Sequence, residues 1–178
     1  FVGTLEPRKG IDTLIDAFVQ LAPDYPYDLV LAGKPGWYWQ PILERIERSG
    51  LGARIRRLDY VPDSDLPALY TAASVLALPS RYEGFGFPVL EAMACGTPVV
   101  CSNASSLPEV AGDAGLLVPP DDPSSLAEAL ALVLSNEPLA ATVRAKGLLR
   151  AARFTWEKTA RATLQVYAQT AVSARVPR

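Results

Sequence analysis

Glu83 and Glu91 stand with seven residues between them, and the turn Gly84-Phe85-Gly86-Phe87-Pro88 fills part of the gap. Acids on both sides of a glycine turn suit a ligand that is charged at one end and hydroxylated at the other. A carboxylate has two acceptor oxygens and can receive both hydroxyls of a vicinal diol such as a ribose. Glycine turns leading into a helix aim N–H groups and the positive end of the helix dipole at one spot, which favours a phosphate. Far upstream, Arg8 and Lys9 share the turn EPRKG, where two cations could neutralise a diphosphate. Each feature also has a plain structural explanation. Glu in a first helical turn is favoured by the dipole alone, and loop acids and basic turns are commonly solvated.

The elements around these residues set where they can act. Val75-Leu76-Ala77-Leu78 is a short bounded apolar run, read as a buried strand, and Pro88 falls where a first helical residue belongs. Val89, Leu90, Ala92 and Met93 supply apolar positions, and Gly96 stops that helix. Glu91 then falls in its first turn, with Glu83 at the mouth of the strand, within reach of a sugar beyond the phosphates. Elsewhere, strands are expected at Phe1 to Leu5, Asp28 to Ala32, Ile55 to Leu58, Pro98 to Cys101 and Gly115 to Val118. Helices are expected over Ile11 to about Leu21, around Ile42 to Ile46, from an Asp63 cap through Tyr70, after Asp122-Pro123, over about Glu137 to Arg153, and over Thr155 to Val172. Alternating strands and helices demand parallel pairing with right-handed crossovers. The expectation is an α/β, doubly wound, six-stranded parallel sheet whose ligand site lies at the carboxyl ends of the strands. Lys9, Gly33, Tyr60 and the Glu83 to Glu91 segment all fall on that edge, a coincidence that independent structural explanations would not produce.

Composition narrows the chemistry. The chain has 178 residues, 49% hydrophobic and 20% charged, which fits one globular domain spanning 1–178. A net charge of −2 gives no electrostatic case for nucleic acid, and the local basic group Arg54, Arg56 and Arg57 reads as an exposed edge. There is no histidine, which removes imidazole acid–base chemistry and histidine-ligated zinc. Cys95 and Cys101 flank a strand and are too far apart for a disulfide, so both are expected reduced, favouring a cytoplasmic setting. No apolar run reaches bilayer length, and no signal peptide is visible. A chain that opens with Phe1 inside a strand is expected to be part of a longer protein. Gly33 is placed for close approach of backbone to a ligand, although any tight turn would use it equally. Trp37-Tyr38-Trp39 reads chiefly as cover for the core edge, and Leu66 chiefly as core.

The pattern Glu83-x7-Glu91 with GFGFP inside it, followed by EAMACGTPVV, resembles the C-terminal nucleotide-sugar-binding domain of retaining glycosyltransferases of family 4, which have the GT-B fold. FVGTLEPRKG at the start and SSLPEVAGDAGLLVPPDDP later resemble the same family in the same order, from Phe1 to about Tyr167. The resemblance implies a Rossmann-like half of a GT-B enzyme, a hexosyltransferase with mannose and glucose among the candidate sugars. It implies a nucleoside diphosphate sugar as donor substrate, no further cofactor and no metal. Lys9 and Glu83 would be catalytic. Donor contacts would come from Glu91, Gly84, Phe85, Gly86, Phe87, Val89, Leu90, Arg8, Thr4, Gly33, Tyr60 and Val61, with Tyr60 and Val61 beside the base. Thr4 occupies the place where the family commonly has a diphosphate-binding arginine. The acceptor, a glycan or lipid, would be held by an N-terminal domain outside this chain, toward which the terminal helix packs, and any membrane association would come from there. The competing readings are a nucleotide-sugar epimerase, a phosphorylase and a non-enzymatic nucleotide-sugar-binding module. A dehydrogenase is disfavoured because the first turn, GTLEPRKG, lacks dinucleotide glycine spacing.

Overall fold

The computed structural model describes residues 1–173; the last five residues of the expected domain, 174–178, lie outside the described residues. Five parallel strands form two sheets. β1 (Leu29–Ala32) pairs with β2 (Ile55–Leu58), from Leu29 opposite Ile55 to Ala32 opposite Leu58. β4 (Val99–Ser102) lies between β3 (Leu76–Leu78) and β5 (Leu116–Val118). β3 and β4 are buried throughout, as strands covered on both faces must be. β2 buries only Ile55 and leaves Arg56 and Arg57 exposed, whereas Arg54, just before it, is half-buried and donates to Ala22 O and Tyr25 O, so only Arg56 and Arg57 of the basic group form an exposed edge.

The sixth expected strand, Phe1 to Leu5, does not form a ladder. It runs beside β1 and touches it through single bridges, Val2 to Ala32 and Leu5 to Pro35. The cause lies in Gly3 and Gly33, whose φ values are +145° and +150°. A Cβ on Gly33 would stand 2.0 Å from the Gly3 carbonyl oxygen. The two backbones meet where no side chain fits, and the pairing is broken there. Gly33 therefore serves a backbone seam, and its N–H donates to Leu58 O at 2.9 Å.

Helices cover the strands by their apolar faces. α1 (Ile11–Leu21) spans the expected residues and buries Ile11, Leu14, Ile15, Phe18 and Leu21. Gly10 precedes it with φ +64°, and a Cβ there would lie 2.1 Å from the Pro79 carbonyl oxygen, so only glycine lets the first turn close onto the end of β3. α2 (Gln40–Arg48) follows β1. α3 (Leu66–Ala72) begins after Asp65, not Asp63, with no side-chain cap. α4 (Phe87–Ala94), α5 (Leu107–Ala111), α6 (Pro123–Ser135), α7 (Glu137–Ala151) and α8 (Trp156–Ser173) complete the chain. The Asp122 cap is real: its carboxylate accepts from Ser125 N–H at 3.0 Å. α1 packs on α6 and α4 on α7, around one core that includes Leu31, Leu78, Val89, Met93, Val100 and Leu126. Both cysteines are free, and burial pushes the Cys101 thiol up to about 12. α8 departs from this pattern, since every described side chain along it is exposed. No single described helix is long and apolar enough to cross a bilayer; α6 and α7 reach the length only as a pair bent by 99°.

Candidate active site

The turn after β3 carries the acid. Glu83 is buried, and its carboxylate is surrounded by donors. Lys9 Nζ donates to Oε1 at 2.7 Å and to Oε2 at 2.9 Å, and Ser80 Oγ donates to Oε1 at 2.7 Å. Arg8 Nη1 stands 3.4 Å from Oε2 and 3.0 Å from Tyr82 O, while its Nε is 2.6 Å from Glu6. Lys9 is buried as deeply as Glu83, with 7% of each residue accessible. Charges so far from water persist only as a pair. The structure thus unites Lys9, Arg8 and Glu83, 74 residues apart for the closest pair.

Arg81 holds the cationic turn in place through the carbonyls of Pro7 and Arg8 and is itself anchored by two acids. Arg81 N–H donates to Arg8 O at 2.8 Å, and the Arg81 guanidinium donates to Pro7 O, to Asp12 at 2.7 Å and to Asp121 at 2.6 Å. Burial pushes the Asp12 carboxyl up, but the Arg81 hydrogen bond and charge outweigh it and hold Asp12 below its ordinary value of 3.8.

Glu91 sits elsewhere. α4 opens at Phe87, one residue earlier than expected, which puts Pro88 second and Glu91 in the second turn. The expectation of a first-turn glutamate is therefore corrected, and dipole stabilisation confined to that turn no longer accounts for it. Its Oε2 accepts from Tyr70 Oη at 2.7 Å. Burial and the Glu91 carboxylate both push the Tyr70 phenol well above its ordinary value, so it remains a donor. The pair lines an open cavity of about 420 Å³ together with Asp63, Leu66, Pro67, Ala94 and Cys95. Glu83 does not line it. A second, apolar cavity of about 240 Å³, bordered by Phe1, Phe18, Leu29 and Val75, lies at the amino ends of β1 and β3, away from both acids.

The remaining candidates divide. Gly84 is exposed, Phe85 and Phe87 are 36% and 50% exposed, and Gly86 has φ +105°. Val89 is fully buried and its N–H already donates to Gly86 O at 3.0 Å, which removes it as a free donor; Leu90 is half-buried against the core. Tyr60 is exposed with Lys34 Nζ 4.7 Å from its ring centre, and Val61 is half-buried beside it. Thr4 is exposed near Gly36, with no cation in its place. Of the three aromatics after β1, only Trp39 packs on the core, while Trp37 and Tyr38 are exposed. Ser80, Tyr70 and Arg81 were not singled out by sequence reading. The spacing of Ser80 three residues before Glu83 could have marked it, but nothing local marks the other two.

The sequence profile described as glycosyl transferases group 1 matches residues 1–150. The chain belongs to the group 1 glycosyl transferases. O-antigen chain mannosyltransferase B of Escherichia coli is 45% identical to it over 170 residues, covering 94% of this chain and 44% of that protein. Sucrose-phosphate synthase of Thermosynechococcus elongatus superimposes with a TM-score of 0.85 at 35% identity, over 97% of this chain and 45% of the synthase. HepE of Anabaena, solved with UDP and glucose, superimposes with a TM-score of 0.85 at 26% identity, over 94% of this chain and 47% of HepE. The chain thus spans less than half the length of each of these three relatives. It shares with these glycosyltransferases the α/β fold with parallel strands flanked by helices.

Proposed function

We propose that this group 1 glycosyl transferase domain is the donor-binding half of a retaining hexosyltransferase, with a nucleoside diphosphate sugar as substrate. The observation that carries this reading is the buried Lys9–Glu83 pair at the mouth of the glycine turn. Burying both charges is costly, and a purely structural position would be served as well by apolar side chains. At a site receiving a diphosphate sugar, the pair places a cation beside the leaving phosphate and an acid beside the sugar. Lys9 has three N–H donors, of which two directions are taken by Glu83, leaving one for a phosphate oxygen. Departure of the nucleoside diphosphate is helped electrostatically by Lys9 and the turn amides, while Glu83 stabilises positive charge developing at the anomeric carbon. Arg8 and the backbone of Gly84 to Phe87 complete the phosphate side. Glu91 holds the ribose in the cavity it shares with Tyr70, and Tyr60 and Val61 lie toward the base.

The reaction runs without a metal, because Glu83, the acid at the mouth of the turn, is committed to Lys9 and Arg8. The acceptor is bound by a second half outside this chain, in keeping with the share of each relative that the chain covers. Calorimetry with UDP-, GDP- and ADP-sugars, with and without chelator, tests the reading. Binding of one donor class unaffected by chelator is expected. Absence of binding across the panel would overturn the function, and loss of binding on chelation would overturn the metal-free claim.

A further inference from the structure

The acidic turn is gripped from outside its own element. The loop after β4 brings two serines against it. Glu83 N–H donates to Ser105 Oγ at 2.9 Å, and the single Ser106 O–H is shared between Phe85 O at 2.7 Å and Glu83 O at 3.0 Å. Both serines give up local preferences to do so. Ser105 has φ +52°, a left-handed conformation seldom taken by residues other than glycine, asparagine and aspartate. Ser106 occupies the N-cap of α5, where a serine ordinarily accepts from its own helix, yet it makes no cap hydrogen bond.

This grip has a stereochemical consequence. No peptide in the described chain is cis. In a trans peptide the C=O of one residue and the N–H of the next point in opposite directions. With the Glu83 and Phe85 carbonyls drawn to Ser106, the N–H groups of Gly84 and Gly86 are turned to the other side. Neither makes a hydrogen bond among the described residues. Gly84 and Gly86 stand on either side of Phe85, and backbone N–H groups left without partners in one turn can together receive an anion.

We propose that Ser106 is a positioning residue for the donor diphosphate: its hydroxyl fixes two peptide planes so that Gly84 and Gly86 offer their N–H groups to phosphate oxygens. The inference rests on the nucleotide-sugar reading above. It is tested with wild type, Ser106→Ala and Ser106→Thr, titrated with UDP and UMP and with GDP and GMP, while amide spectra follow Gly84 and Gly86. Ser106→Ala is expected to lose about 5- to 20-fold in diphosphate affinity, as for one lost hydrogen-bonding group, and to keep its monophosphate affinity within about twofold. Ser106→Thr restores the diphosphate preference, and diphosphate shifts the wild-type Gly84 and Gly86 amides. An unchanged diphosphate-to-monophosphate ratio in Ser106→Ala, equal losses for both ligands, or unmoved amides in the saturated wild type would each overturn the role. If Ser106→Ala does not fold, the wild-type amides and Ser106→Thr decide. Failure of wild type to bind any diphosphate removes the functional reading itself, whereas binding with an unchanged ratio removes only the role of Ser106.

Discussion

Glu83 and Glu91 lie on one short stretch of chain but in opposite kinds of surroundings. Glu83 is sealed from water among Lys9, Arg8 and Ser80. Among the described residues Glu91 has a single donor, the neutral Tyr70, and it opens onto a cavity. A sealed carboxylate is fixed in position before any ligand arrives. One at a cavity wall keeps acceptor capacity free for hydroxyls that come with the ligand. The same side chain is thus suited to electrostatics in one place and to recognition in the other, and the neighbours decide which.

The largest effect should come from breaking the sealed pair. Lys9→Met removes the close buried cation and leaves Glu83 with only the longer contact to the half-exposed Arg8, and is expected to destabilise the fold by about 3–5 kcal/mol, read as a fall in the urea midpoint. The double variant Lys9→Met/Glu83→Gln should recover part of that loss. A single-variant loss below about 1 kcal/mol would mean that the site admits water and that the contrast with Glu91 is overdrawn.

Next in size is Glu91→Gln, which keeps shape but loses charge-assisted hydrogen bonds to a diol. The expected cost is about 1.5–3 kcal/mol of nucleotide affinity, or about 10- to 150-fold, with the urea midpoint nearly unchanged. Unaltered affinity in calorimetry would return Glu91 to an ordinary helix surface residue. Tyr70→Phe removes the one protein donor to Glu91 and should cost about 1 kcal/mol of stability. A loss as large as that of Lys9→Met would show Glu91 to be sealed as well.

The smallest effect belongs to the rim, and only its sign is predicted. Asp12 is held below 3.8 in the folded chain by Arg81. A carboxylate with a depressed folded value contributes stability above its unfolded value and loses it as pH falls through the folded one. Stability should therefore decline as pH drops below about 4, and Asp12→Asn should flatten that decline. A steeper acid decline in Asp12→Asn would contradict the assignment.

How much of this could be read from the sequence depended on how local its cause was. α1 has its expected limits because Ile11, Leu14, Ile15, Phe18 and Leu21 mark one helical face at every turn. The α4 boundary slipped by one residue because Pro88 is compatible with either of the first two helical positions, and that slip moved Glu91 out of the first turn. The broken first strand escaped notice because its cause is a meeting of Gly3 with Gly33, thirty positions on. The candidate acids and the lysine were legible as residue types at a sheet edge. Their pairing was not, since it depends on the Gly10–Pro79 approach that brings two distant turns together.

α8 has a mechanical consequence. Its 18 residues make a rod about 27 Å long. The rod meets the body at its foot, where Trp156 lies 6.3 Å from Phe87 and Phe154 lies 6.0 Å from Phe85, ring centre to ring centre. Both partners belong to the glycine turn and the start of α4. A tilt of about 10° at this pivot sweeps the far end through about 5 Å, given that length. By the same leverage, a displacement imposed at the tip would be reduced severalfold at the turn, and a shift of the turn by a fraction of an ångström would be magnified along the rod.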